Sequence, residues 1–219
     1  MNATHMEQSF GQRIKNNNIV QAWLVLTLAL FFGASLAGIQ LTLAPTIEAN
    51  KINETRQKVP ELVFGKAGAL EILKQNQQLE ITPQTMEIEK HGTKVFYSVF
   101  ETRVAGKLAG WVVKTAGQGY ADKIELLIGL DSAAETITGL FVLDQKETPG
   151  LGNKIVTEKW RNQFIAKKTG SPLTVTKEGA KAPNEIDGVT GATISSRAVS
   201  SIINTTMNDL KGMLAAKAR

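Results

Sequence analysis

The chain has 219 residues, 42% hydrophobic and 21% charged, with 25 Lys and Arg against 20 Asp and Glu for a net charge of +5; that is the composition of one moderate globular domain with an appendage. The positive charge is scattered and no arginine-rich run alternates with aromatics, so a solvated surface accounts for it better than a nucleic-acid footprint. With no cysteine, disulfides, thiolate zinc sites and iron–sulfur clusters held by the chain's own thiols are excluded, and the two histidines, His5 and His91, stand apart from any ligand-spaced or triad-like cluster.

Residues 1–18 form a polar tail. No charged side chain occurs between Lys15 and Glu48, and residues 19–44 are the apolar core of that gap. As a helix, about 26 residues reach roughly 39 Å, more than the roughly 30 Å of a bilayer's hydrocarbon core. Ser35-Leu36-Ala37-Gly38 has the small-residue look of a signal-peptidase site. The apolar run continues past it, and its length favours a retained span. Gly33, Ala34, Ala37 and Gly38 offer a close-packing face to other helices. Lys15 and Arg13 on one side, and Lys51, Arg56 and Lys58 on the other, leave the positive-inside count near a draw.

Residues 46–59 read as a helical extension ended by Pro60, Phe64-Gly65 as a turn, and 67–74 as a short helix, so that 45–78 forms a helical connector. Segments 85–89, 94–103, 108–115, 123–131 and 136–143 read as strands, being rich in β-branched and aromatic residues and punctuated by glycine; His91 falls in the turn between the first two. Successive strands with short turns predict an antiparallel sheet, and with helices at the end of the domain the class is α+β. A Pro-Gly loop at 144–152 precedes a helix expected over 153–167, with Ile155, Val156, Trp160 and Phe164 on one face, Trp160 and Phe164 reading as core. A short strand follows at 173–176. From Ile194 onward the apolar stripe Ala198, Val199, Ile202, Ile203, Leu210, Met213 and Leu214 predicts an amphipathic helix.

The stretch leading into that helix is Asp187-Gly188-Val189-Thr190-Gly191-Ala192-Thr193-Ile194-Ser195-Ser196. Two readings are open from the residues alone. Hydroxyl side chains at a helix start cap the free N–H groups of the first turn; equally, a helix N-terminus with its unpaired amides and positive dipole end favours a phosphate.

The string resembles the flavinylation motif of the FMN-binding domain family, Asp-x-x-Ser/Thr-Gly-Ala-Thr followed by Ser/Thr, and a second family string, Glu147-Thr148-Pro149-Gly150-Leu151-Gly152, lies upstream. The resemblance implies that Thr193 carries FMN through a phosphoester, with Thr190, Gly191 and Ala192 around the phosphate. Glu147, Thr148, Pro149, Gly150, Leu151 and Gly152 would then supply apolar contact and hydrogen-bond donors to the isoalloxazine, and Tyr120, in the Gly119-Tyr120 turn, a further wall. Thr193 would be the acceptor of a separate flavin transferase.

The whole layout is similar to the G subunits of the Rnf complex, a membrane-bound, ion-translocating ferredoxin:NAD oxidoreductase. It also resembles the C subunits of the sodium-translocating NADH:quinone reductase, whose glycine turn commonly reads Gly-Leu-Trp. The resemblance implies a single-pass protein of the bacterial inner membrane, with tail 1–18 in the cytoplasm, the span at 19–44 and an extracytoplasmic FMN-binding domain over 79–219. Its role would be electron relay between neighbouring flavin and iron–sulfur subunits of the complex, with no catalytic site of its own. The span has no charged residue with which to carry the ion. An FMN-carrying subunit of another extracytoplasmic reductase and a non-redox, membrane-anchored binding module are the rival readings.

Overall fold

A computed structural model describes residues 17–90 and 92–218; the tail before Asn17, His91 and the last residue lie outside the described residues. The charge-free apolar stretch forms the first part of a long helix, α1 (Asn18–Lys74). Asn17 starts it, its side-chain oxygen accepting the N–H groups of Ile19 and Val20 at 3.0 and 3.4 Å. Large apolar side chains of the span, among them Trp23, Leu24, Phe31, Phe32 and Leu41, are exposed, as a surface meant for lipid must be. The hydroxyls of Thr27, Ser35 and Thr42 donate to the carbonyls of Trp23, Phe31 and Gly38, four residues back. They are thereby satisfied inside the helix, which a hydrocarbon environment requires.

The chain divides into two compact units, the second beginning at Asn53. In that unit Val59, Leu62 and Val63 of α1 are buried. Residues 53–64, which read as connector in the sequence, are therefore part of the folded unit. Pro60 does not end the helix; the break falls at Gly65, with φ 71° and ψ 168°. Burial of Val59, Leu62 and Val63 on either side of the proline offsets the hydrogen bond that proline forfeits. Glycine tolerates the positive φ that the break demands.

Five strands follow as an antiparallel meander in the order β1 (Leu79–Lys90), β2 (Thr93–Val104), β3 (Lys107–Gln118), β4 (Lys123–Asp131) and β5 (Ile137–Asp144). Ala105 and Gly106, with φ of 48° and 75°, make the two-residue turn between β2 and β3, the positive-φ pair that matches strand twist. β1 begins six residues earlier than the sequence pattern indicates and contains Pro83, which is tolerated because β1 is an edge strand.

The middle strands are apolar on both faces. Trp111, Val113, Leu126 and Ile128 belong to one core, and Val112 and Leu127 to a second with Val59, Leu62 and Val63, as the period of two dictates. Close approach of α1 depends on missing side chains: a Cβ on Gly129 would collide with the Leu62 carbonyl oxygen, and one on Gly139 would sit 2.9 Å from it. That carbonyl has lost its helical partner at the Gly65 break and accepts the Thr138 hydroxyl instead, at 2.7 Å. Gly129→Ala is expected to destabilise the domain by about 3 kcal/mol, read as the midpoint of urea unfolding. Were the contact loose, the same change would stabilise by about 0.4–1 kcal/mol through the unfolded chain, so the sign decides.

The opposite face is covered by α3 (Thr193–Lys217), through Val199, Ile202, Ile203, Met207, Leu210 and Leu214. Gly117 leaves room for Ile202, whose Cγ1 would be 2.6 Å from an added Cβ. Polar clamps fix the helix: the Thr115 and Thr206 hydroxyls pair at 2.8 Å, and the Asp209 carboxylate accepts the Tyr97 hydroxyl at 2.6 Å and the Lys90 ammonium at 2.8 Å. Burial and the Asp209 partner push the Tyr97 phenol well above its ordinary pKa.

Between β5 and α3 the chain makes a 3-10 turn (Gly152–Val156), the short α2 (Glu158–Arg161), a second 3-10 turn (Asn162–Phe164) and the parallel pair β6 (Thr174–Thr176) and β7 (Glu185–Asp187). The single helix expected over 153–167 is thus broken, with Thr157 extended at φ −68°, ψ 138°. A continuous helix would have put Val156 with Trp160 and Phe164; the break buries Ile155 instead and leaves Val156 exposed. Trp160 and Phe164 pack edge to face with centroids 5.0 Å apart, inside the core as their spacing suggests.

Candidate functional site

Three segments far apart in sequence are tied together by one buried carboxylate. Glu147, 3% exposed, accepts the backbone N–H groups of Tyr120 and Ala121 on Oε1 at 2.9 and 3.2 Å, and the Ser195 hydroxyl on Oε2 at 2.5 Å. The β3–β4 turn, the 144–152 loop and the first turn of α3 thereby become one rigid frame. Two glycines make room for it: a Cβ on Gly119 would collide with Glu147 Oε1, and one on Gly152 would lie 2.9 Å from Oε2 and 2.8 Å from Ser195 Oγ. The β3–β4 turn is closed by the Gly119 N–H donating to the Asp122 carbonyl at 2.8 Å. The Asp122 carboxyl is held below its ordinary pKa by the Lys123 amide and, next, by Lys146.

Pro149 and Gly150 form the centre of the following turn, in which the Leu151 N–H donates to the Thr148 carbonyl at 3.2 Å and Gly150 takes φ 76°. That turn delivers Leu151 against Gly191, where a Cβ would be 3.0 Å from Leu151 Cδ2. Gly191, at φ 80°, reverses the chain just before α3.

The helix start itself distinguishes the two readings of the hydroxyl-rich stretch. The N-cap position is Ala192, and no side chain caps the helix. Thr193 is the first helical residue, half-buried, and its hydroxyl has no hydrogen-bond partner among the described residues. The loop is stitched instead by Ser196, whose hydroxyl accepts the Val189 N–H at 2.9 Å and donates to the Ala192 carbonyl at 3.1 Å. The first-turn amides are left without a side-chain acceptor, the arrangement an anion fills.

These elements enclose a cleft of about 670 Å³ lined by Thr148, Leu151, Gly152, Tyr120, Lys177 and residues 188–195. Its size falls in the ordinary range for small-molecule sites. Of the residues singled out by sequence, Thr193, Thr190, Gly191, Ala192, Thr148, Leu151, Gly152 and Tyr120 line it, whereas Glu147, Pro149 and Gly150 do not. Glu147 faces the frame beneath, and Pro149 and Gly150 shape the turn that aims Leu151. Gly188, Val189, Ile194 and Ser195 of the same stretch also line it, as does Lys177, which sequence reasoning does not single out. Tyr120 is 62% and Leu151 45% exposed, a large apolar area to leave to water at the mouth of a cleft.

The lining suits FMN on its chemistry. Unpaired amides and a free hydroxyl sit at a positive helix end where a phosphate belongs, and Tyr120, Leu151 and Ile194 offer apolar surface for a fused ring. A Cβ at Gly191 would crowd Leu151.

Residues 119–208 match the FMN-binding domain family, a stretch that encloses every cleft residue. The fold and the cleft together define an α+β protein with one N-terminal transmembrane helix and an FMN-binding domain. The chain is 33% identical over 188 residues to the G subunit of the Na(+)-translocating ferredoxin:NAD(+) oxidoreductase complex of Acetobacterium woodii, covering 82% of this chain and 87% of that one. It is 30% identical to the G subunit of the ion-translocating oxidoreductase complex of Methanosarcina acetivorans, covering 80% and 87%. In fold it resembles the crystal structure of NqrC from Shewanella oneidensis, with a TM-score of 0.61 and 19% identity over 77% of this chain and 99% of that one. The chain belongs to the family of G subunits of Rnf-type ion-translocating oxidoreductase complexes.

Proposed function

We propose that the protein is the FMN-carrying electron-relay subunit of a membrane-bound, ion-translocating oxidoreductase, with the flavin esterified to Thr193. The observation that carries this reading is the Thr193 hydroxyl: unpartnered, at an uncapped helix start, inside a cleft with apolar walls. Bound there, FMN supplies one- and two-electron redox chemistry; this chain's residues hold and orient it. The Thr148 hydroxyl and the Gly152 amide line the cleft and would be hydrogen-bond partners for the ring's polar edge, while Tyr120, Leu151 and Ile194 would cover its faces.

Attachment needs an activated donor, because a free phosphate monoester has no good leaving group. With a flavin dinucleotide as donor, the Thr193 oxygen would bond to the flavin-side phosphorus as the pyrophosphate bridge breaks, the nucleoside monophosphate would leave, and the hydroxyl proton would pass to a base of the flavin transferase. A covalent tether suits a domain placed outside the cytoplasm, where a lost cofactor dilutes irreversibly. We place the N-terminus in the cytoplasm, as the resemblance to the G subunits implies.

Intact-mass measurement of the full chain coexpressed with a flavin transferase tests this. The expected mass is that of the chain plus one flavin mononucleotidyl group; an unmodified mass with Thr193 present would refute the covalent reading. Copurification from native membranes then decides between ferredoxin-linked and quinone-linked partners.

A further inference from the structure

Among the residues that line the cleft, Lys177 is the one with a charged side chain. The buried carboxylate nearby, Glu147, is turned away and held by three protein donors. Lys177 follows β6, and its position relative to Thr193 is set by backbone contacts. The Gly188 N–H donates to the Thr176 carbonyl at 2.8 Å. A Cβ on Gly188 would lie 3.2 Å from that same carbonyl oxygen and 3.9 Å from Thr193 Cγ2. Thr176, Gly188 and Thr193 are therefore neighbours, and Lys177 is the next residue after Thr176. Its side chain is exposed and makes no ion pair or hydrogen bond among the described residues, whereas Lys90, Lys94, Lys123 and Lys146 each hold a carboxylate.

We propose that Lys177 is the counter-ion of the phosphate at Thr193, fixing the phosphoester against the start of α3. The inference rests on the FMN reading above. A helix N-terminus supplies oriented donors but only about half a charge; a mobile ammonium on a four-carbon stem completes the neutralisation without demanding bidentate geometry.

The test uses the full chain with a flavin transferase, comparing wild type with Lys177→Met, Lys177→Arg and, as a surface control, Lys94→Met, whose partner Glu87 lies on β1 outside the cleft lining. Loss of one charge-assisted contact should slow loading of Lys177→Met roughly tenfold, read by intact mass over time, with Lys177→Arg within about twofold of wild type and Lys94→Met unaffected. In the loaded proteins the 31P resonance of wild type should be displaced from that of a small-molecule phosphodiester, and Lys177→Met should return it toward that value while Lys177→Arg retains the displacement. Complete failure of Lys177→Met to load, with Lys177→Arg loading normally, also supports the proposal. A 31P resonance unchanged between wild type and Lys177→Met overturns it, whatever the loading rate. Wild type that acquires no flavin mass overturns the FMN reading and this inference together.

Discussion

Thr193→Ala should leave the chain with its unmodified mass and no flavin fluorescence after denaturation, a change from full occupancy to none, while its thermal midpoint scarcely moves. The second half of that expectation comes from the geometry of the helix start. Thr193 is not the N-cap, and among the described residues its hydroxyl satisfies no backbone group and no side chain caps α3. Alanine is the better helix former at a first helical position, so the substitution should cost less than about 1 kcal/mol. Had the threonine been a cap, the loss would be about 1–2 kcal/mol. Thr190 locates the attachment point: it lines the same cleft three residues upstream, so Thr190→Ala should load more slowly but still carry its flavin on Thr193. Flavin retained in Thr193→Ala and lost in Thr190→Ala would move the attachment point. Loss of fold in Thr193→Ala would return the hydroxyl to a structural role.

How much of this is legible in the chain varies by element, for physical reasons. β4 can be read residue for residue, because Lys123–Asp131 is a β-branched and aliphatic run bounded by turn residues. The first half of β1 is hidden by Pro83, which signals a break unless one knows that the strand lies at an edge. The helix expected over 153–167 places Ile155, Val156, Trp160 and Phe164 on one face; the extended Thr157 breaks it, so that Ile155, Trp160 and Phe164 are buried and Val156 is exposed. β6 falls within the strand expected over 173–176, but its partner β7 is three residues long, below the length at which alternation is readable. That pair brings Lys177 beside Gly188 and Thr193, so nothing local to Lys177 could mark it. The two motif strings do identify most of the cleft. What they cannot convey is the division of labour within the Glu147–Gly152 string, in which Leu151 faces the cleft while Glu147 is committed beneath it.

That division of labour makes Glu147 the most demanding residue of the site. Glu147→Ala should destabilise the domain by about 3 kcal/mol and abolish ordered closure of the cleft. Three donors from two segments converge on the carboxylate, and each donor left buried without a partner costs about 1–3 kcal/mol. The Tyr120 turn is exposed enough to recover part of that from water, which keeps the total near the lower end of the sum. Glu147→Gln behaves differently. Its amide oxygen still accepts from Tyr120 and Ala121, and its amide nitrogen donates to the Ser195 oxygen, so the cost should be about 1 kcal/mol. Urea unfolding gives the two stabilities, and hydrogen exchange at the Tyr120 and Ala121 amides gives the mechanism. Protection should persist in the glutamine variant and vanish in the alanine variant, with flavin loading following protection. Equal protection in both would mean that the frame is held by the glycine turns alone and the carboxylate merely fills space between Gly119 and Gly152.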